Sequence, residues 1–241
     1  MKKTILLLTL AALACGCTPE STAGAGGAPC ADEAPYPNDV SPVIGAFITR
    51  IYRAHGDPAE RDTLFAKAAS SARSDAVETA RAQHAVDFLV RGYLAPWVAA
   101  AGIPTTSWVD LLPAGELGSE QASVAAQRAL VLVSTKRDTL GTTAWDGAWD
   151  GGAAAQHAAI IDNIPGLPQG WYAATDVFSA SFQAAYVVGQ GAGTAAYTAA
   201  GPDPTKATEA AIGAVLAANA QTGGVVRAAT AAEVDTLLAI Q

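Results

Sequence analysis

From Ser41 onward the apolar positions of this chain recur every three or four residues, and Gly and Pro cut the pattern into helix-sized lengths. Val43, Phe47, Ile48 and Ile51 share one helical face. They follow Ser41-Pro42, a cap residue with proline at the first helical position, and Gly56 is the expected stop. Asp57-Pro58-Ala59-Glu60 opens a second helix with an N-cap, an N1 proline and an acid in the first turn. It carries Leu64 and Phe65 and should fade at Ser70-Ser71.

A long pattern over 74–101 carries Val77, Ala80, His84, Phe88, Leu89 and Trp97. Pro96 should bend it, because proline removes a ladder hydrogen bond and clashes one turn back. A short helix around Trp108 is expected over 104–112. Another runs from Ser119 through Val133; its β-branched end also suits a strand, but no partner strand is predicted elsewhere. Further helices are expected over 144–162, 171–188 and 204–220, the last opening at Asp203-Pro204. A final one should start at Thr230-Ala231-Ala232-Glu233, whose Thr and Glu have capping-box spacing. Gly189 to Gly193 and Gly223-Gly224 are read as breaks. The expected fold class is all-α: a single, bundle-like multi-helix domain over 41–241 with no solenoid-length repeat.

The segment before Ser41 has a different grammar. Lys2 and Lys3 give a short positive start, Ile5 to Leu13 an apolar run, and Ala14-Cys15-Gly16-Cys17 a close of small residues and thiols. That order is a secretory signal peptide, too short to span a membrane. Residues 18–40 are rich in Gly, Pro, Ala and acid, lack periodicity, and read as a disordered spacer. The end of the leader, Ala12-Leu13-Ala14-Cys15, resembles the lipobox of bacterial lipoproteins. The resemblance covers the leader alone. It implies a signal peptide over 1–14, a diacylated Cys15 as the mature N-terminus, and a lipidated tether over 15–40. Cys17, preceded by Gly16, is the alternative lipid site. With Cys15 acylated, Cys17 and Cys30 are left as an even pair in an oxidising compartment, either joined in a disulfide or present as two free thiols. Two or three acyl chains hold a protein stably on a bilayer. The residue after the lipid site is not Asp, which resembles the outer-membrane class of lipoproteins.

Composition supports helices and narrows the partners. Alanine, the best helix former, makes up roughly a quarter of the chain, against 15% charged and 7% aromatic residues. A core of close alanine contacts with few large anchors is expected. Loss of Lys2 and Lys3 with the leader takes the formal charge from −8 to −10. With no basic run, the chain suits neither nucleic acid nor electrostatic docking on anionic lipid; the membrane is reached through the lipid.

The sequence carries no Gly-x-Ser-x-Gly elbow, no His-Glu-x-x-His, no phosphate loop and no Cys-x-x-Cys. His55, His84 and His157 are the residues that could hold a metal or haem, yet no two lie one helical turn apart, so no cofactor is predicted. The acids are scattered, with no spacing that forces two carboxylates together. Trp145-Asp146-Gly147-Ala148-Trp149-Asp150 is the most unusual segment. Two tryptophans four residues apart would share a helical face and, with Asp146, Asp150 and Trp171 near the 164–172 turn, could form a binding surface. The alternative is that the tryptophans anchor the core and the acids cap a helix. The expected function is a lipid-anchored envelope protein acting as a binding or scaffold module. A hydrolase or metal enzyme whose residues converge only in three dimensions, and a haem or electron carrier, are the alternatives.

Overall fold

In the computed structural model, which describes residues 39–55, 58–140 and 170–241, the helical pattern becomes six α-helices, and no strand occurs among the described residues. Helix α1 is Pro42–His55 and α2 is Pro58–Lys67, both opening on the expected prolines. Helix α3 spans 75–100 in three registers: α-helical Asp75–Phe88, a π-helical turn Leu89–Leu94, and α-helical Ala95–Ala100. Two 3₁₀ turns, Thr105–Ser107 and Val109–Leu111, flank Trp108. Helix α4 is Ser119–Asp138, α5 is Gly170–Ala199 and α6 is Pro204–Ala239. All the described residues lie in one compact unit, Tyr36–Gln241.

The Pro96 expectation takes a specific form. Just before the proline the ladder widens, and the Ala95 N–H donates to the Val90 carbonyl, five residues back. The wider turn makes room for a ring that a regular α-turn would clash with. Helix α3 then stops at Gly102, whose φ of +79° ends it at low cost. The Ile103 N–H reaches the Val98 carbonyl and the Gly102 N–H the Ala99 carbonyl, which is the Schellman pattern.

Several expected boundaries need correction. The 104–112 helix is two 3₁₀ turns, because Trp108 leaves helical geometry (φ −153°) and is fully buried. Helix α5 runs on to Ala199, straight through Gly189 to Gly193, and α6 runs unbroken through Gly223-Gly224. Gly189, Gly193 and Gly223 are buried in the paired helices. There, close packing of the two helices offsets the roughly 1 kcal/mol that each interior glycine costs. The glycine that does end α5 is Gly201, with φ +87°. Thr230 and Glu233 do not start a helix either. Thr230 is buried inside α6 and its hydroxyl donates to the Val226 carbonyl four residues back. The β-branched end of α4 is helix, as preferred, and Asp203 caps α6 by accepting from the Thr205 and Lys206 N–H groups.

Packing follows the composition. Ala122, Ala125, Ala126, Ala129 and Val133 of α4 are buried, as are Ala173, Val177, Ala180 and Ala184 of α5. These small faces let α4 and α5 approach closely. Asp176 of α5 accepts from Ser123 and Gln127, and Arg137 donates to Gln183, so the two helices run in the same direction. Trp97, Trp108 and Tyr93 are the large fully buried anchors. No described helix is long and apolar enough to cross a membrane.

Candidate functional site: a histidine among carboxylates

Two polar clusters interrupt this apolar interior, and both centre on α3. The first surrounds Arg81, which is fully buried. Its guanidinium donates to Glu78 at 2.9 Å, to the Ser71 carbonyl at 2.7 Å, and to the Leu237 and Ile240 carbonyls at 2.9 and 3.0 Å. Glu78 in turn accepts from the Ser41 hydroxyl at 2.5 Å, and the Ser41 N–H donates to Ser71 Oγ. Every strong bond of Arg81 is spent on joining the start of α1, the turn before α3 and the last turn of α6. This cluster fastens the fold.

The second cluster lies one turn further along α3. His84 Nδ1 sits 2.5 Å from Glu116 Oε1, on the connection between the 3₁₀ turns and α4. On the other side, His84 Nε2 lies 3.4 Å from Glu233 Oε1 of α6, an ion-pair distance without hydrogen-bond geometry. Asp87, next along the same face of α3, accepts from Arg91 Nε at 2.9 Å and from the Leu117 N–H at 3.0 Å. Arg91, inside the π turn, also donates to the Pro113 carbonyl and, at 3.4 Å, to that of Gly115. Gln83 Nε2 reaches the Leu117 carbonyl at 2.8 Å. Residues 83, 84, 87 and 91 therefore grip the connection from 113 to 117 along one side of α3.

The electrostatics of this cluster are those of a proton-holding site. Burial of the Glu233 side chain pushes its carboxyl up to about 7, the charges of Asp87 and Glu116 push the same way, and His84 opposes them. For His84, burial works against the charged ring, but the Glu116 hydrogen bond and the charges of Glu233, Glu116 and Asp87 outweigh it and raise the pKa. An imidazole held between two carboxylates, one of them buried, can take up and release protons near neutrality.

The sequence candidates meet this geometry unevenly. His84 is at its centre. His55 ends α1, but its side chain lies outside the described residues, as does all of His157. Cys15, Cys17, Cys30, Trp145, Asp146, Trp149 and Asp150 lie outside the described residues, together with the leader, the spacer and the expected 144–162 helix. Trp171 falls in the first turn of α5, its side chain outside the description. Among the described residues no group of three or more His, Cys, Asp or Glu side chains is arranged to hold a metal ion. Glu116 and Glu233 were missed. Their signal is helical phase: with Val226, Thr230, Val234 and Leu237 on the inner face of α6, Glu233 falls on that face too. Compared with family models, with curated proteins and with solved structures, the chain matches none.

Proposed function

We propose that this chain is a lipid-anchored protein of the cell envelope, held at the outer membrane through Cys15, whose helical domain binds a protein or small-ligand partner or serves as a scaffold. The observation that carries the reading is the leader: Lys2-Lys3, the apolar run to Leu13 and the lipobox-like Ala12-Leu13-Ala14-Cys15, followed by a Gly-, Pro- and acid-rich spacer.

The join between spacer and domain supports it. Asp39 accepts from both the N–H and the hydroxyl of Ser70, and its carbonyl accepts from the Ala72 N–H. Val40 and Ser41 are buried, with Ser41 tied to Ser71 and Glu78. A tether entering here pulls on a point fastened to the α2–α3 turn, and through Glu78 and Arg81 to α6. That is a sound attachment for a domain hung from a lipid.

The partner face proposed is the Trp145, Asp146, Trp149, Asp150 and Trp171 region, on the chemistry of flat amphipathic rings beside acids. Two experiments test the reading. Cys15→Ala should move the protein from the membrane to the soluble fraction while Cys17→Ala leaves it anchored; a fully soluble wild type would refute the anchor. Cross-linking in intact cells should give a discrete adduct that the Trp145→Ala/Trp149→Ala variant loses with its helicity unchanged. An adduct indifferent to both tryptophans would refute that face.

A further inference from the structure

We infer that His84, Glu116 and Glu233 form a proton-operated latch, which fixes the 113–117 connection to α3 when His84 is charged and frees it when the ring is neutral.

A charged imidazole has two N–H donors and a neutral one has a single N–H, on one nitrogen or the other. Here each nitrogen faces a carboxylate: Nδ1 faces Glu116 at 2.5 Å and Nε2 faces Glu233 at 3.4 Å. The charged ring is hydrogen-bonded to Glu116 and ion-paired with Glu233. Once Glu233 has given up its own proton and the ring loses one of its two, the two carboxylates compete for the one that remains.

Burial decides that competition. The Glu233 side chain is 10% exposed and its Oε1 has no hydrogen-bond partner, so a ring nitrogen without a proton at 3.4 Å would leave its charge uncompensated in the interior. The Glu116 side chain is 53% exposed, and water can replace the ring. The remaining proton therefore moves to Nε2 and serves Glu233. Nδ1 is left with a lone pair against the Glu116 carboxylate, and the contact turns from attraction to repulsion. The other charges around the ring strengthen the effect: Asp87 on α3 adds a third carboxylate, and Arg91 is committed to Asp87 and to the Pro113 and Gly115 carbonyls. Arg81, one turn back, is committed to Glu78 and backbone carbonyls.

What the latch governs is the stretch around Leu117, a fully buried side chain on an otherwise exposed connection. Its N–H is held by Asp87 and its carbonyl by Gln83, beside the Glu116 contact. Release of Glu116 loosens the segment that seats Leu117 and, through it, the start of α4 at Ser119.

The test is amide exchange on the full chain at about pH 6 and about pH 9, corrected for the intrinsic rate, which keeps the two ends of the His84 titration apart. Protection of the Leu117 amide should fall about tenfold or more at the higher pH, while core amides of α4 stay protected. Glu233→Gln, which removes the buried charge that draws the proton, should abolish the fall. Nitrogen chemical shifts of the His84 ring in the unmodified chain, assigned with His84→Gln, should show the proton on Nε2 at high pH. A neutral ring protonated on Nδ1, or a Leu117 amide equally protected at both pH values, overturns the latch.

Discussion

Arg81 Nε donates to the carbonyl of Leu237 at 2.9 Å, joining residues 156 positions apart in the chain. The bond fastens the last turn of α6 to α3, and the same guanidinium holds Glu78, which holds Ser41. The two ends of the described domain therefore close on one buried side chain. Arg81→Met should cost about 3–5 kcal/mol, because it leaves a buried carboxylate and three carbonyls short of donors. Urea unfolding measures it. The double variant Arg81→Met/Glu78→Gln should cost less than the sum of the single changes, since removing both charges leaves neither stranded.

Gly92 and Gly213 should respond in opposite directions to the same change. A Cβ on Gly92, in the π turn, would overlap the ring of Phe88, closing to 2.9 Å even on Cζ. That ring is packed edge-on against Phe47, with centroids 5.2 Å apart, so shifting it would disturb that contact. Gly92→Ala should destabilise by about 1–3 kcal/mol. At Gly213, in α6, a Cβ meets nothing within 4 Å. Gly213→Ala should stabilise by roughly 0.5–1 kcal/mol, by removing backbone freedom from the unfolded chain. Equal effects in thermal melts would mean that the π register is drawn wrongly.

Stability should decline as the pH rises through neutrality. Glu233 and His84 both have folded-state pKa values above their ordinary ones, Glu233 at about 7 against 4.5. Each therefore contributes stability that is fully present below its unfolded pKa and is lost as the pH rises through its folded pKa. For Glu233 that window runs from 4.5 to about 7, and loss of the His84 contribution follows above the ordinary histidine value of 6.5. The urea midpoint should be higher near pH 5.5 than near pH 8.5, a difference on the order of 1–3 kcal/mol. Glu233→Gln should flatten the profile; a midpoint that rises across this range would contradict the assignment.

Much of the fold was legible because local signals and burial agreed. Pro42, Pro58 and Pro204 each open a helix where expected. The signals that misled were those that tertiary packing overrules. Glycines inside α5 and α6 read as stops, but among the described residues it is Gly102 and Gly201, with positive φ, that stop a helix. The capping-box spacing of Thr230 and Glu233 hid the residue that matters most to the site. Read as a cap, Glu233 is a surface acid; read in phase with Val226 and Leu237, it is buried beside His84. Glu116 had no comparable signal, for it lies on an irregular connection that meets His84 through a contact spanning 32 residues.

Limited proteolysis should locate where the tether ends. Asp39, Val40 and Ser41 are tied into the α2–α3 turn, so the first cuts should fall before Asp39, leaving a stable fragment that begins close to it. N-terminal sequencing of that fragment checks the boundary. Early cleavage within 75–100 would contradict the packing of α3.

Mass spectrometry of the N-terminal peptide from mature protein tests the lipid at Cys15. The expected peptide begins at Cys15 and carries the mass of a diacylglyceryl group and an amide-linked fatty acid. A peptide beginning at Cys17 with that mass would move the lipid site two residues along. An unmodified mature terminus, with both cysteines free of lipid, would rule out the lipid anchor.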